Sequence, residues 1–161
     1  MNLQQSFKEN DSIRLGLSAD TWQEAIQLAV QPLIDSGAAS SEYYDAIIAS
    51  TEKYGPYYVL MPGMAMPHAE AGKGVFKNAF ALITLTKPVT FSDGKEASVF
   101  LTLAATDPSI HTMVAIPQIV ALFELDNAID RLLACQNPEE VLEMVEESKN
   151  SPYLEGLDLD S

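Results

Sequence analysis

Residues 79–105 read AFALITLTKPVTFSDGKEASVFLTLAA. Two apolar runs, 79–86 and 97–105, stand on either side of the pair Asp93-Gly94. Runs of this length and composition read as strands, and an Asp-Gly pair between them reads as a tight turn. Pro88 has no N–H for a ladder, so the first strand is expected to close before it. The neighbouring sequence changes period. Upstream, SADTWQEAIQLAVQPLIDSG (18–37) sets Trp22, Ala25, Ile26, Ala29 and Val30 on one helical stripe, with Asp20 expected as cap, Gln23 at the capping-box position and Gly37 as stop. A second helix is expected from Ser41 as cap to Gly55, with Tyr44, Ile47 and Ile48 inward. Shorter strands are expected at 13–17 (IRLGL) and 57–61 (YYVLM).

Downstream, Asp107 and Pro108 have the residue types of an N-cap and a first helical position. The helix they open is expected to face inward through Met113, Ile116, Val120 and Phe123 and to kink at Pro117. A short helix in 126–136 follows, with Cys135 inside it, then one opened by Asn137 and Pro138. The expectation is one α/β domain over residues 1–149, a mixed β-sheet flanked by helices on both faces, followed by a loose acidic tail at 150–161.

Composition bounds the function. The 161 residues are 47% hydrophobic and 20% charged, as in an ordinary globular protein. The net charge of −14, from 23 acids against 9 Lys and Arg, disfavours nucleic acid and anionic membrane surfaces. Cys135 is the only cysteine, so no internal disulfide forms, which fits a reducing cytoplasm. The first 12 residues lack the basic and apolar regions of a signal peptide, and no window approaches the ~18 apolar residues of a membrane span. A soluble, cytoplasmic protein without direct membrane insertion is expected.

Chemistry concentrates in MPGMAMPHAEAGKG (61–74). Its methionines beside His68 admit a Cu(I) site or, more blandly, gap-filling beside a strand end. Ala71-Gly72-Lys73-Gly74 lacks phosphate-loop spacing and reads as a turn, and no Gly-x-Ser-x-Gly elbow is present. Cys135, among Leu132, Leu133 and Ala134, reads as a buried structural thiol. Two histidines remain. His68 follows a strand, where α/β folds place their sites, and Gly63, Gly72 and Gly74 leave room around it. His111 falls one turn into the Asp107-capped helix, near N–H groups that favour an anion. Spacing alone leaves their meeting open.

Gly63-Met64-Ala65-Met66-Pro67-His68, then AFALITLTKPVTF, VFLTLAATDPSIH and IDRLLACQNPEEVLEMV in order, resemble phosphotransferase-system enzyme IIA proteins of the mannitol/fructose class. Residues 12 to 148 carry the likeness; YGPYY (54–58) and MAMPHAEAGKGVFKNAFALITL make it most similar to the ascorbate-specific branch. The resemblance implies a phosphohistidine relay. His68 would take a phosphoryl group from the phosphocarrier protein HPr and pass it to a cysteine of the cognate enzyme IIB. The membrane enzyme IIC would follow indirectly, and His111 would support the phosphohistidine. No cofactor or metal is implied. One departure concerns an Arg-Glu pair that many members carry upstream: here the place reads Ser50-Thr51-Glu52. Either His111, backbone donors and Lys73 would then supply the compensating charge, or the site would work with less. A regulatory module that binds a target protein according to its phosphorylation state is the alternative. Tyr153, Leu154 and Leu157 leave room for a homodimer.

Overall fold

The computed structural model describes residues 2–71 and 73–157. Four strands form one mixed sheet: β1 (Ile13–Leu17), β2 (Gly63–Ala65), β3 (Ala79–Thr90) and β4 (Glu96–Ala104), in the order β1-β3-β4-β2. The central pair β3–β4 is antiparallel, and each outer strand runs parallel to its neighbour. The turn expected at Asp93-Gly94 joins the central pair, with Gly94 at φ 89° and the Phe91 N–H on the Lys95 carbonyl at 2.8 Å. Pro88 does not end β3. The ladder breaks between Thr84 and Val89, leaves Thr86, Lys87 and Pro88 exposed in a bulge, and resumes to Thr90. A bulge is one of the few places a strand tolerates a residue without an N–H.

Both faces of the sheet are covered, as expected for this class. Helices α2 (Trp22–Asp35) and α3 (Ser41–Tyr54) pack on one face, where they meet Ala79, Ala81, Ile83, Phe100 and Ala104. Helices α1 (Leu3–Asn10), α5 (Ile116–Phe123), α6 (Ala128–Ala134) and α7 (Pro138–Ser148) pack on the other, against Phe80, Leu82, Val99, Leu101 and Leu103. The period-2 alternation along β3 and β4 thus feeds two cores, and each fully buried Leu, Ile or Phe contributes about 1.5–3 kcal/mol.

Several local expectations shift. Thr21, not Asp20, caps α2: its side chain accepts the Glu24 N–H at 3.2 Å, while Glu24 accepts the Asp20 N–H at 3.1 Å. Ser40 rather than Ser41 precedes α3. Residues 57–61 form no strand: 57 and 58 turn, 59 and 60 are irregular, and Met61 makes only an isolated bridge to Met64; of the five only Tyr58 is buried, and β2 begins two residues later. The Gly55-Pro56 turn causes this by drawing the Tyr57 and Val59 N–H groups to the Gly55 and Pro56 carbonyls. Helix α1 has no counterpart in the sequence reading, although Leu3 and Phe7 bury one turn apart. Asn137 caps α7 as expected.

The Asp107 segment begins with a single turn, α4 (Pro108–Ile110), continues as a π-helical stretch His111–Ala115, and leads into α5. The Ile116 N–H reaches back five residues to the His111 carbonyl. Pro117 has no N–H to continue an α ladder, and one wide turn before it absorbs the defect. That turn rotates the buried face. Ala115, Ile119 and Leu122 point into the core, whereas Met113 is 64% exposed and Ile116 and Val120 are half-buried; of the four expected residues only Phe123 is fully inward. After α7, Pro152–Leu154 forms a 3-10 turn against α5. No single described helix is long and apolar enough to cross a membrane.

Candidate functional site

The site is assembled from residues 66–69 just past β2 and from the start of the Asp107 segment. Each peptide group in 66–69 is tied down. The Met66 N–H bonds the Tyr58 carbonyl at 2.9 Å, and the Leu103 N–H bonds the Pro67 carbonyl at 3.2 Å. The Tyr57 hydroxyl donates to the His68 carbonyl at 2.6 Å, and the Ala69 N–H donates to the Tyr43 hydroxyl at 3.3 Å. Buried Tyr43 in turn donates to the Leu103 carbonyl of β4. Gly74 has a different duty from the room around His68 expected of it. With φ 72°, a Cβ there would lie 2.6 Å from the Tyr43 N, so glycine allows the loop to close on the start of α3. Gly72 lies outside the described residues.

The Asp107 carboxylate caps α4 by accepting the Ile110 N–H at 3.0 Å, and His111 follows at once. Its ring stands 4.8 Å from the His68 ring, centroid to centroid, inclined by 52°. The fold therefore makes the contact that spacing left open. The pair opens into a cleft of about 340 Å³ lined also by Tyr57, Glu70, Pro108 and Thr112. A larger open groove of about 670 Å³ runs beside β2 and α6 but contains neither histidine.

The Nδ1 of His68 lies 2.8 Å from the Met66 carbonyl. A carbonyl oxygen only accepts, so Nδ1 carries the proton and the lone pair is on Nε2. Burial lowers the His68 pKa below 6.5; the Met66 bond opposes this, and His111 adds to it. Burial lowers that of His111 as well. Two neutral imidazoles face each other at neutral pH. No Lys or Arg is among the described cleft residues. Lys73 instead pairs with Glu70 at 3.7 Å, both largely exposed. Thr51 is buried with its hydroxyl on the Ile47 carbonyl at 2.7 Å and on the Tyr58 hydroxyl at 2.6 Å, so that position serves packing.

The other candidates fall away on geometry. Met64 and Met66 are buried in the core beneath α5, α6 and α7, where they fill space, while Met61 is exposed. Among the described residues no three His, Cys, Asp or Glu side chains gather as a metal site. Cys135 closes α6 as its C-cap rather than sitting inside it and is only partly buried, not buried as expected; its thiol bonds the Arg131 carbonyl at 3.3 Å, and what burial it has raises its pKa, which makes it a poor nucleophile. Tyr57 and Tyr58 were missed as site residues because they read as strand; the Gly-Pro pair before them was the available signal.

Residues 6–148 match the family model described as phosphoenolpyruvate-dependent sugar phosphotransferase system, EIIA 2. The chain is 44% identical over 148 residues, 91% of its length and 96% of the relative's, to the ascorbate-specific PTS system EIIA component of Shigella boydii serotype 4 (strain Sb227). It superposes on the crystal structure of a candidate PTS IIA domain from Streptococcus pyogenes M1 GAS with a TM-score of 0.92 at 85% identity, covering 95% of this chain and 99% of that one. It also resembles the enzyme IIA of mannitol in its complex with phosphorylated enzyme IIB from Escherichia coli (TM-score 0.72, 27% identity, 85% of this chain and 95% of that one). This chain belongs to the EIIA 2 family of the phosphoenolpyruvate-dependent sugar phosphotransferase system.

Proposed function

We propose that this enzyme IIA is a covalent phosphoryl carrier with Nε2 of His68 as the acceptor atom and HPr as the donor. The observation that carries the reading is the Nδ1–H bond to the Met66 carbonyl, which leaves a lone pair on Nε2 beside the cleft shared with His111. That lone pair attacks the phosphorus of phospho-HPr in line; the new N–P bond forms as the donor's N–P bond breaks, and the donor nitrogen keeps its electron pair. In the second transfer a cysteine thiolate of the cognate enzyme IIB attacks the phosphorus, and His68 returns to neutral imidazole. His111, a neutral imidazole beside His68, donates a hydrogen bond to a phosphoryl oxygen. The names of the curated relatives point to L-ascorbate as the sugar imported with the membrane enzyme IIC. The work would take place in the cytoplasm.

The test is incubation with phosphoenolpyruvate, enzyme I and HPr, followed by intact mass. Wild type is expected to gain one acid-labile phosphoryl group of ~80 Da, and His68→Ala none while keeping its fold. A full equivalent on His68→Ala would overturn the assignment.

A further inference from the structure

We propose that Tyr57 is a positioning residue, its hydroxyl and ring together holding the His68 imidazole in the tautomer that presents an unprotonated Nε2 to the cleft. The inference rests on the phosphoryl-carrier reading and adds a residue to which neither the motif nor the family likeness assigned a role.

Three contacts converge. The Tyr57 hydroxyl donates to the His68 carbonyl at 2.6 Å, which fixes the peptide group next to the imidazole-bearing carbon. Its ring meets the His68 ring edge-to-face, with centroids 5.2 Å apart and planes at 87°. Tyr58, itself 5.0 Å from Tyr57 between ring centroids, offers its carbonyl to the Met66 N–H at 2.9 Å. The Met66 carbonyl is thereby set where Nδ1 of His68 reaches it at 2.8 Å. The His68–Ala69 peptide group is held from two sides, its carbonyl by the half-exposed Tyr57 hydroxyl at the cleft and its N–H by buried Tyr43. The Met66 N–H and the Pro67 carbonyl are held by main chain, and the Met66 carbonyl by the His68 ring itself.

The residue at the place of the missing arginine supports the same bracket. Thr51 shares a 2.6 Å hydrogen bond with the Tyr58 hydroxyl. Burial raises the pKa of the Tyr57 phenol, against the effect of Ser50, so the group keeps its proton as a donor throughout the neutral range. At that place this chain sets Thr51 on the Tyr58 hydroxyl, a pair that carries no positive charge for a phosphoryl group but braces the turn from which Tyr57 reaches the His68 carbonyl.

The experiment reads the ring nitrogens of His68 by two-bond 1H–15N correlation in 15N-histidine protein at pH 7.5, for wild type, Tyr57→Phe and Tyr57→Leu. In parallel, the rate of phosphoryl uptake from phospho-HPr is measured. Wild type is expected to show one tautomer, protonated at Nδ1. Tyr57→Phe, which loses only the hydroxyl, is expected to show averaged tautomers and roughly five-fold slower uptake, the worth of one neutral hydrogen bond. Tyr57→Leu is expected to lose more of both, and melting is expected to stay near wild type because the side chain is half-exposed. A Tyr57→Phe spectrum identical to wild type, or an unchanged uptake rate, overturns the proposal. If wild type takes up no phosphoryl group, the carrier reading fails, and the spectrum alone then decides whether Tyr57 holds the tautomer.

Discussion

In the β3–β4 hairpin the main chain bonds to itself. From Ala79 opposite Ala104 to Thr84 opposite Val99 the ladder is regular, and the side chains have only to fill the two cores. In residues 55–69 the main chain is held by tyrosine hydroxyls, by a histidine ring and by carbonyls of irregular turns. Both regions are rich in aromatic and apolar residues, yet one is rigid through repetition and the other through single contacts. The lesson is that a ladder tolerates a local fault, as it does at Pro88, whereas a loop held by individual bonds changes its chemistry when one is removed.

Three perturbations separate the regions, beginning with the most severe. Phe100→Ala, at a fully buried position of β4, is expected to cost about 3–5 kcal/mol in chemical denaturation. A loss below about 1 kcal/mol would mean that the hairpin does not anchor the fold as described. His111→Ala should leave denaturation nearly unchanged, because the ring is half-buried at the cleft. It should slow phosphoryl uptake by roughly ten- to a hundred-fold, the range for losing one bond to a charged group; uptake at the wild-type rate would remove its supporting role. The smallest effect is the pH dependence of stability. Burial lowers the pKa of both histidines in the folded protein below 6.5, so the unfolded chain binds protons first as the pH falls. Their contribution is complete above about 6.5 and is lost on acidification, so wild type should lose stability from there downward more steeply than the His68→Gln, His111→Gln double variant. Equal slopes would show that the rings are not held neutral by the fold.

What was legible in the sequence follows the same division. Period-2 and period-3.6 patterns revealed the hairpin, α2 and α7, and Asp107 and Asn137 announced their helices because a cap acts on residues three positions away. The inward face of the Asp107 segment was misread because a π turn shifts the phase and periodicity assumes none. Helix α1 escaped notice because its eight residues bury only Leu3 and Phe7 among apolar side chains. Both histidines were legible as candidates, but their 4.8 Å approach depends on how β2 and the Asp107 segment meet across the sheet end, which no local pattern encodes. Tyr57 looked like strand because aromatic residues favour strands. Its role depends on a hydrogen bond to a carbonyl eleven residues away.

The phosphoryl-carrier site is tested most sharply by which nitrogen of His68 carries the phosphoryl group. Protein labelled with 15N in its histidines, phosphorylated through enzyme I and HPr, would be examined for 31P–15N coupling. Phosphorus is expected on Nε2, with Nδ1 still protonated and bonded to the Met66 carbonyl. Phosphorus on Nδ1 would contradict this assignment, because that nitrogen would have to abandon the bond on which the geometry of the site depends.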